Sequence, residues 1–440
     1  MSSTIEQPGG DRYRTEPPYY LVFADSAWLN QDRDTRDAEL REINDSLATV
    51  GWSLRREAAE THRGATESVV TALRLIPDKP IEHPAPTPEA ALQALPNNAL
   101  RRIWLDELVI HGFPAHRPHA LGGGDLGRTP VAVLAEPPRR RSRPEMHGGR
   151  RPVIALFDTA IGGHPWLDNT APGDPVWLDA TDNALAHPLK LGPRAPKPRE
   201  PSSSNELDSH FGHGTFSAGL VRQLAPDALI LLIHVMDDDG LVHGDHLLNA
   251  LGWIREGRTA NGEALADQDP RPDIDVVCLP LGYEFESKDQ KFADWLRRVL
   301  GQLGDSGVRV VASAGNDGTD RPTYPAAYAV AENLPTTPLV SVGALNPNGS
   351  RAHYSNYGEW VTDSAIGTTV VSTFPLLDTT ASPPTIGGFS RWSGTSFAAA
   401  AFASMLGRAL LTTGALVDLA LTPDQRADIA LSACRKQGSR

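Results

Sequence analysis

Short apolar runs separated by amphipathic stretches dominate the chain from residue 153 onward. Residues 153–157, 229–235, 275–279 and 308–312 are each almost continuously apolar over the length of one strand. Runs this short, with no polar alternation, predict strands covered on both faces, as in a parallel sheet. Residues 214–223, 245–255 and 289–303 lie between them and carry helical spacing. Strand–helix alternation predicts an α/β fold, a doubly wound parallel sheet flanked by helices. Residues 187–208 are rich in proline and serine and read as a surface insertion.

The pattern before residue 137 is different, and it predicts a small α+β domain over 19–136. Residues 19–23 read as a strand. Residues 34–50 read as a helix, with Leu40, Ile43, Leu47 and Val50 on one face and Gly51 just beyond. A second strand is expected over 68–76. After a proline-rich stretch, Thr87-Pro88 has the chemistry of an N-cap and first helical residue for a helix over 89–95. Residues 1–18 are polar and expected to be disordered. Residues 137–151 hold many arginines and prolines and read as a linker. That segment is either simply solvated or a site of proteolysis exposed between two domains. Residues 152–440 form the main domain.

Composition narrows the class. The chain has 440 residues, 40% apolar and 22% charged, which is enough for a sizeable core. A net charge of −13 disfavours nucleic acid and anionic membranes as partners. The two cysteines, Cys278 and Cys434, exclude a disulfide framework, and no Cys/His cluster suggests zinc. Cys278 sits in an apolar run and reads as a buried, inert thiol. No metal and no cofactor are expected. The amino-terminal stretch lacks the apolar core of a secretory signal, and Arg408 and Asp418 argue against a membrane span over 402–421. The expectation is a cytoplasmic protein with no membrane partner. Arginine far outnumbers lysine, which suggests a high-GC bacterial coding bias.

Four segments carry candidate chemistry. Asp158 ends the apolar run Val-Ile-Ala-Leu-Phe, and the carboxyl ends of strands are where open α/β sheets gather functional groups. By itself it reads as well as a turn or cap residue. His213 lies between two glycines at the start of a helical pattern, and a near-neutral imidazole is the usual general base. Ser396 precedes the alanine run 398–401, so it falls near a helix N-terminus, where N–H groups favour a developing anion. A serine there is more often only an N-cap. Asn316, in Ala-Gly-Asn-Asp-Gly, follows a predicted strand and could donate to an oxyanion, though Asn-Asp-Gly is also plain turn chemistry.

Together the segments Leu-Phe-Asp-Thr-Ala-Ile, Gly-His-Gly-Thr-Phe-Ser-Ala-Gly, Ala-Gly-Asn-Asp-Gly and Gly-Thr-Ser-Phe-Ala-Ala-Ala resemble the signatures of the subtilisin-like serine peptidases, in that family's chain order. The resemblance covers about residues 152–412. It implies Ser396 as nucleophile, His213 as general base, Asp158 as its orienting carboxylate, and Asn316 as oxyanion donor. It also implies a protein or peptide substrate laid along Leu281 and Gly282, with Ala314 and Gly315 as the opposite wall. Asp239-Gly240-Leu241-Val242 matches the other flanking segment. Ser355-Asn356-Tyr357-Gly358 resembles a family feature without catalytic role. One departure stands out: Pro280 occupies a position where the family usually has serine, which removes a backbone donor. Asp237-Asp238-Asp239-Gly240 does not have EF-hand spacing and reads as an exposed turn. The alternative to a peptidase is an interaction module that uses the fold without turnover. The 19–136 domain is either an intramolecular inhibitor of prosegment type or an accessory unit.

Overall fold

The structure is a computed structural model and describes residues 20–25, 33–56, 70–77, 88–95, 103–105, 110–112, 128–132, 135–146, 149–169, 173–182, 185, 188–189, 191, 209–256, 273–286, 289–331, 339–376, 388–418 and 420–438. The expected disordered terminus (1–18) and most of the proline- and serine-rich insertion lie outside the described residues. The chain divides into two compact units, Met1–Glu107 and Leu108–Arg440.

The first unit contains β1 (Tyr20–Asp25), α1 (Arg33–Ala48), β2 (Trp52–Arg56), β3 (Val70–Pro77), α2 (Pro88–Gln93) and β4 (Ile103–Leu105). Its strands form an antiparallel sheet in the order β2-β3-β1-β4. The helical face read from the sequence supplies the core: Ile43 and Leu47 of α1 are buried with Trp52, Leu54 and Leu75. Asn44 fastens the helix to the sheet, its side chain donating to the Leu54 carbonyl at 3.0 Å and accepting from the Leu54 N–H at 2.6 Å. Gly51, at φ 76°, makes the left-handed turn between α1 and β2. Strand β2 carries two core residues among polar ones, too little alternation to be legible beforehand.

The second unit contains β5 (Ile110–Gly112), β6 (Thr129–Pro130), β7 (Val153–Asp158), β8 (Trp177–Asp179), α3 (His213–Leu224), β9 (Leu229–His234), β10 (Leu241–Val242), α4 (Gly244–Glu256), β11 (Val276–Leu279), β12 (Leu281–Glu284), α5 (Gln290–Asp305), β13 (Arg309–Ser313), β14 (Thr323–Tyr324), β15 (Val340–Leu345), β16 (Asp363–Ile366), β17 (Val370–Phe374), β18 (Gly388–Trp392), α6 (Thr395–Thr412) and α7 (Pro423–Gly438). Seven strands form one sheet in the order β16-β15-β13-β11-β7-β9-β8, and every pairing in it is parallel. All residues of β7, β11 and β13 are buried, as expected of strands covered on both faces. Helix α6 packs across β7, β11, β13, β15 and β16, while α4 and α5 pack on each other. By length and composition α6 could cross a membrane, but most of it is buried inside this unit.

After β7 the chain builds β8 and β9 on one side and returns to β11 on the other. A switch of this kind opens a crevice at the carboxyl ends of β7 and β11. Asp158 ends β7, and Pro280 follows β11.

The arginine-rich segment departs from the expected solvated linker. Arg151 has only 2% of its side chain exposed and is held by Asp174 at 2.6 Å. Arg150 binds Asp273 at 2.8 Å and Asp275 at 2.6 Å, and Arg141 binds Asp227 at 2.8 Å. Asp275 also accepts from the Val153 N–H at 2.8 Å, so the network braces the start of β7. Composition alone read these arginines as solvated because their carboxylates lie far away in sequence. Charge-assisted pairs to those carboxylates lock the segment onto the sheet.

Candidate active site

Asp158, His213 and Ser396 lie on three different elements, and Asp158 and His213 are in direct contact. The Asp158 carboxylate is fully buried, and Oδ1 accepts from the Thr159 N–H at 2.7 Å and from His213 Nδ1 at 2.6 Å. A carboxylate can only accept, so Nδ1 carries the proton and Nε2 is the basic nitrogen. His213 Nε2 is buried, with no hydrogen-bond partner among the described residues.

The glycines flanking His213 have steric causes. Gly212 caps α3 at φ 78°, and a Cβ there would collide with the Phe374 ring. A Cβ on Gly214 would collide with the Thr159 carbonyl. The close approach keeps α3 against the end of β7, where the imidazole meets Asp158. The ring lies 5.0 Å from Phe397, 5.7 Å from Trp392 and 5.8 Å from His210, centre to centre.

Ser396 is not a cap. Gly394 occupies that position in extended backbone. Ser396 lies one residue into the helix, and its Oγ donates to the Pro280 carbonyl at 3.0 Å. The proline that breaks the family pattern thus contributes its one remaining backbone polar group to this site.

Asn316 follows β13 and is fixed by Thr395, the neighbour of Ser396. Its Oδ1 accepts from the Thr395 N–H at 3.0 Å and from Thr395 Oγ1 at 2.9 Å. With the amide oxygen so held, the NH2 half is the donor. Thr395 Oγ1 also accepts from the Gly315 N–H at 3.1 Å.

Asn356, read from the sequence as having no catalytic role, holds this loop from the other side. Its Nδ2 donates to the Ala314 carbonyl at 3.0 Å and to Thr323 at 3.1 Å, and its Oδ1 accepts from the Asp317 N–H at 2.9 Å. Gly315, at φ 102°, lies so close that a Cβ would strike Asn356 Nδ2. The Ser-Asn-Tyr-Gly motif was the only signal. Asn356→Ala is expected to leave these buried groups without partners, lowering stability by about 2 kcal/mol. Turnover should fall as the loop carrying Asn316 loosens. Thermal melts alongside steady-state kinetics would measure both.

Strand β12, carrying Leu281 and Gly282, pairs antiparallel with β5, which also pairs antiparallel with β10. Gly112 lies opposite Leu281, and His111 opposite Gly282 and Leu241. Ala314 and Gly315 leave β13, the parallel neighbour of β11, beside this edge. Cys278 is buried in β11, and burial pushes its thiol well up, which keeps it protonated. Among the described residues no group of His, Cys, Asp or Glu is arranged to hold a metal ion.

Residues 149–434 match the profile of the subtilase family, peptidase family S8. The chain belongs to the subtilase family. This subtilase is 30% identical to subtilisin BL of Lederbergia lenta over 236 residues, which is 50% of this chain and 66% of that protein. It is 28% identical to subtilisin E of Bacillus subtilis over 188 residues, 40% of this chain and 42% of the relative. With the minor extracellular protease Epr of Bacillus subtilis it shares 30% identity over 37% of this chain and 22% of that one. The chain therefore spans less than half the length of two of these three relatives. Among solved structures, the lanthipeptide protease aligns with a TM-score of 0.46 at 21% identity, covering 64% of this chain and 79% of that one. The patellamide maturation protease PatA aligns with a TM-score of 0.42 at 20% identity, covering 64% and 86%.

Proposed function

We propose that this subtilase is a serine endopeptidase working through Asp158, His213 and Ser396. The observation that carries the reading is the buried 2.6 Å bond between Asp158 and His213 Nδ1, which leaves Nε2 as the basic nitrogen. Ser396 Oγ turns from the Pro280 carbonyl toward Nε2, gives up its proton there and attacks the substrate carbonyl. Asp158 stays ionised and supports the imidazolium. The Asn316 NH2 and the Ser396 N–H, in the first turn of α6, donate to the oxyanion. His213 then protonates the leaving amine, and water cleaves the acyl-enzyme by the same route. Purified protein should cleave unfolded protein and take up a fluorophosphonate probe at Ser396; failure in both assays would sink the proposal.

The substrate is a protein or peptide in extended form, added as a strand along Leu281 and Gly282 with Ala314 and Gly315 opposite. The pairing of β5 supports this mode, because the chain's own residues already form that strand. It also supports intramolecular inhibition by the amino-terminal region. In the β5 register, the substrate residue one beyond the Gly112 position comes level with Pro280, whose carbonyl is 3.0 Å from Ser396 Oγ.

His111→Pro tests this directly. Proline removes a backbone donor from β5 and disfavours the strand. Hydrolysis of a peptide substrate by the full chain should rise about tenfold, the equivalent of one backbone hydrogen bond. Unchanged or reduced kcat/KM would argue against inhibition by this segment.

A further inference from the structure

Residues upstream of the family-matched stretch reach the surroundings of His213. Strand β6 pairs antiparallel with β18, Pro130 opposite Ser390 and Thr129 opposite Arg391, and the Val131 N–H donates to the Phe389 carbonyl at 3.1 Å. Since β18 runs through Gly394 into α6, this added strand braces the segment that delivers Ser396. Arg128 stands at its start. The guanidinium carbon lies 5.2 Å from the centre of the Phe374 ring and 5.3 Å from that of Trp392. Its Nη1 donates to the Phe211 carbonyl at 2.5 Å.

Each of these contacts leads to the imidazole. Phe211 is two residues before His213, across Gly212, whose left-handed φ directs the turn. Trp392 stands edge-on to the His213 ring at 5.7 Å and packs on Phe397 at 5.2 Å, which itself lies 5.0 Å from His213. The Phe374 ring fills the space that a Cβ on Gly212 would need. One side chain therefore grips both the backbone leading into His213 and the indole beside it. Only a guanidinium suits both tasks, since its face stacks on rings while its edge donates to a carbonyl.

We propose that Arg128 is a positioning residue for His213, so that the working peptidase of this chain begins upstream of residue 149, where the family match starts. The inference rests on the peptidase reading above. An imidazole displaced by a fraction of an ångström transfers its proton less well, whereas the groove along Leu281–Gly282 and Ala314–Gly315 is untouched. The loss therefore falls on kcat and spares KM.

The test uses the full chain with R128M and R128K, measuring peptide hydrolysis, the rate of fluorophosphonate labelling and the melting temperature. R128M should lower kcat and the labelling rate on the order of tenfold, with KM within about twofold of wild type. R128K keeps the charge without the planar fork and should lower kcat by a smaller factor, again sparing KM. If R128M fails to fold, R128K decides. Folded variants with wild-type kcat and labelling rate would overturn the proposal, as would a loss confined to KM. A wild type that never labels sinks the peptidase reading itself; a wild type and R128M that label equally fast sink only the role of Arg128.

Discussion

Ser396→Ala is expected to abolish hydrolysis, with kcat falling by about 10⁶. That magnitude was measured in a subtilisin, a relative of this chain, and is carried over here. The cause is specific to one atom: without Oγ there is nothing for His213 to deprotonate and no acyl-enzyme. Fold should be spared, because Ser396 lies inside α6 rather than capping it. A melting temperature near that of wild type, together with lost turnover and lost probe labelling, is the expected combination. Turnover surviving in S396A would show that another group is the nucleophile.

Asn316→Ala should lower kcat by about 10²–10³ with little change in KM. This range also comes from removal of an oxyanion donor in a subtilisin. The split between kcat and KM follows from timing, since the amide acts on charge that exists only once the carbonyl has been attacked. Asn316 has a second task here, because its Oδ1 holds Thr395 through two bonds beside Ser396. Asn316→Asp keeps that acceptor but replaces the donor with a negative charge. It should therefore be at least as inactive as alanine, while melting closer to wild type. If Asn316→Asp retained most of the activity, the oxyanion role would fail. Steady-state kinetics and thermal melts on both variants separate donation from loop anchoring.

Much of the fold was legible because burial on both faces leaves a strong trace. The runs that became β7, β9, β11 and β13 are almost continuously apolar, and the helical face of α1 stands out by its spacing. Strands β2, β17 and β18 were not legible, since their polar residues make them look like loops until a neighbouring strand pairs with them. The arginines over 139–151 show the same limit for charge. Composition read them as solvated, but Asp174, Asp227, Asp273 and Asp275 hold Arg141, Arg150 and Arg151 against the sheet.

By itself the sequence determined the residue types and their order: a strand-end aspartate, a glycine-flanked histidine, an asparagine in a turn, and a serine before an alanine run. These motifs are local, because each depends on a turn or helix start formed within a few residues. Tertiary structure alone decided how they meet. It put Gly394 rather than Ser396 at the cap and turned Ser396 Oγ to the Pro280 carbonyl. Asn356 was brought to the loop of Asn316, and Arg128 to the ring beside His213. The chain's own residues 110–112 were set on the edge of Leu281 and Gly282. The physical reason is that hydrogen bonds and ring contacts between distant segments depend on sheet register and on sub-ångström approach. Neither leaves a periodicity in the chain.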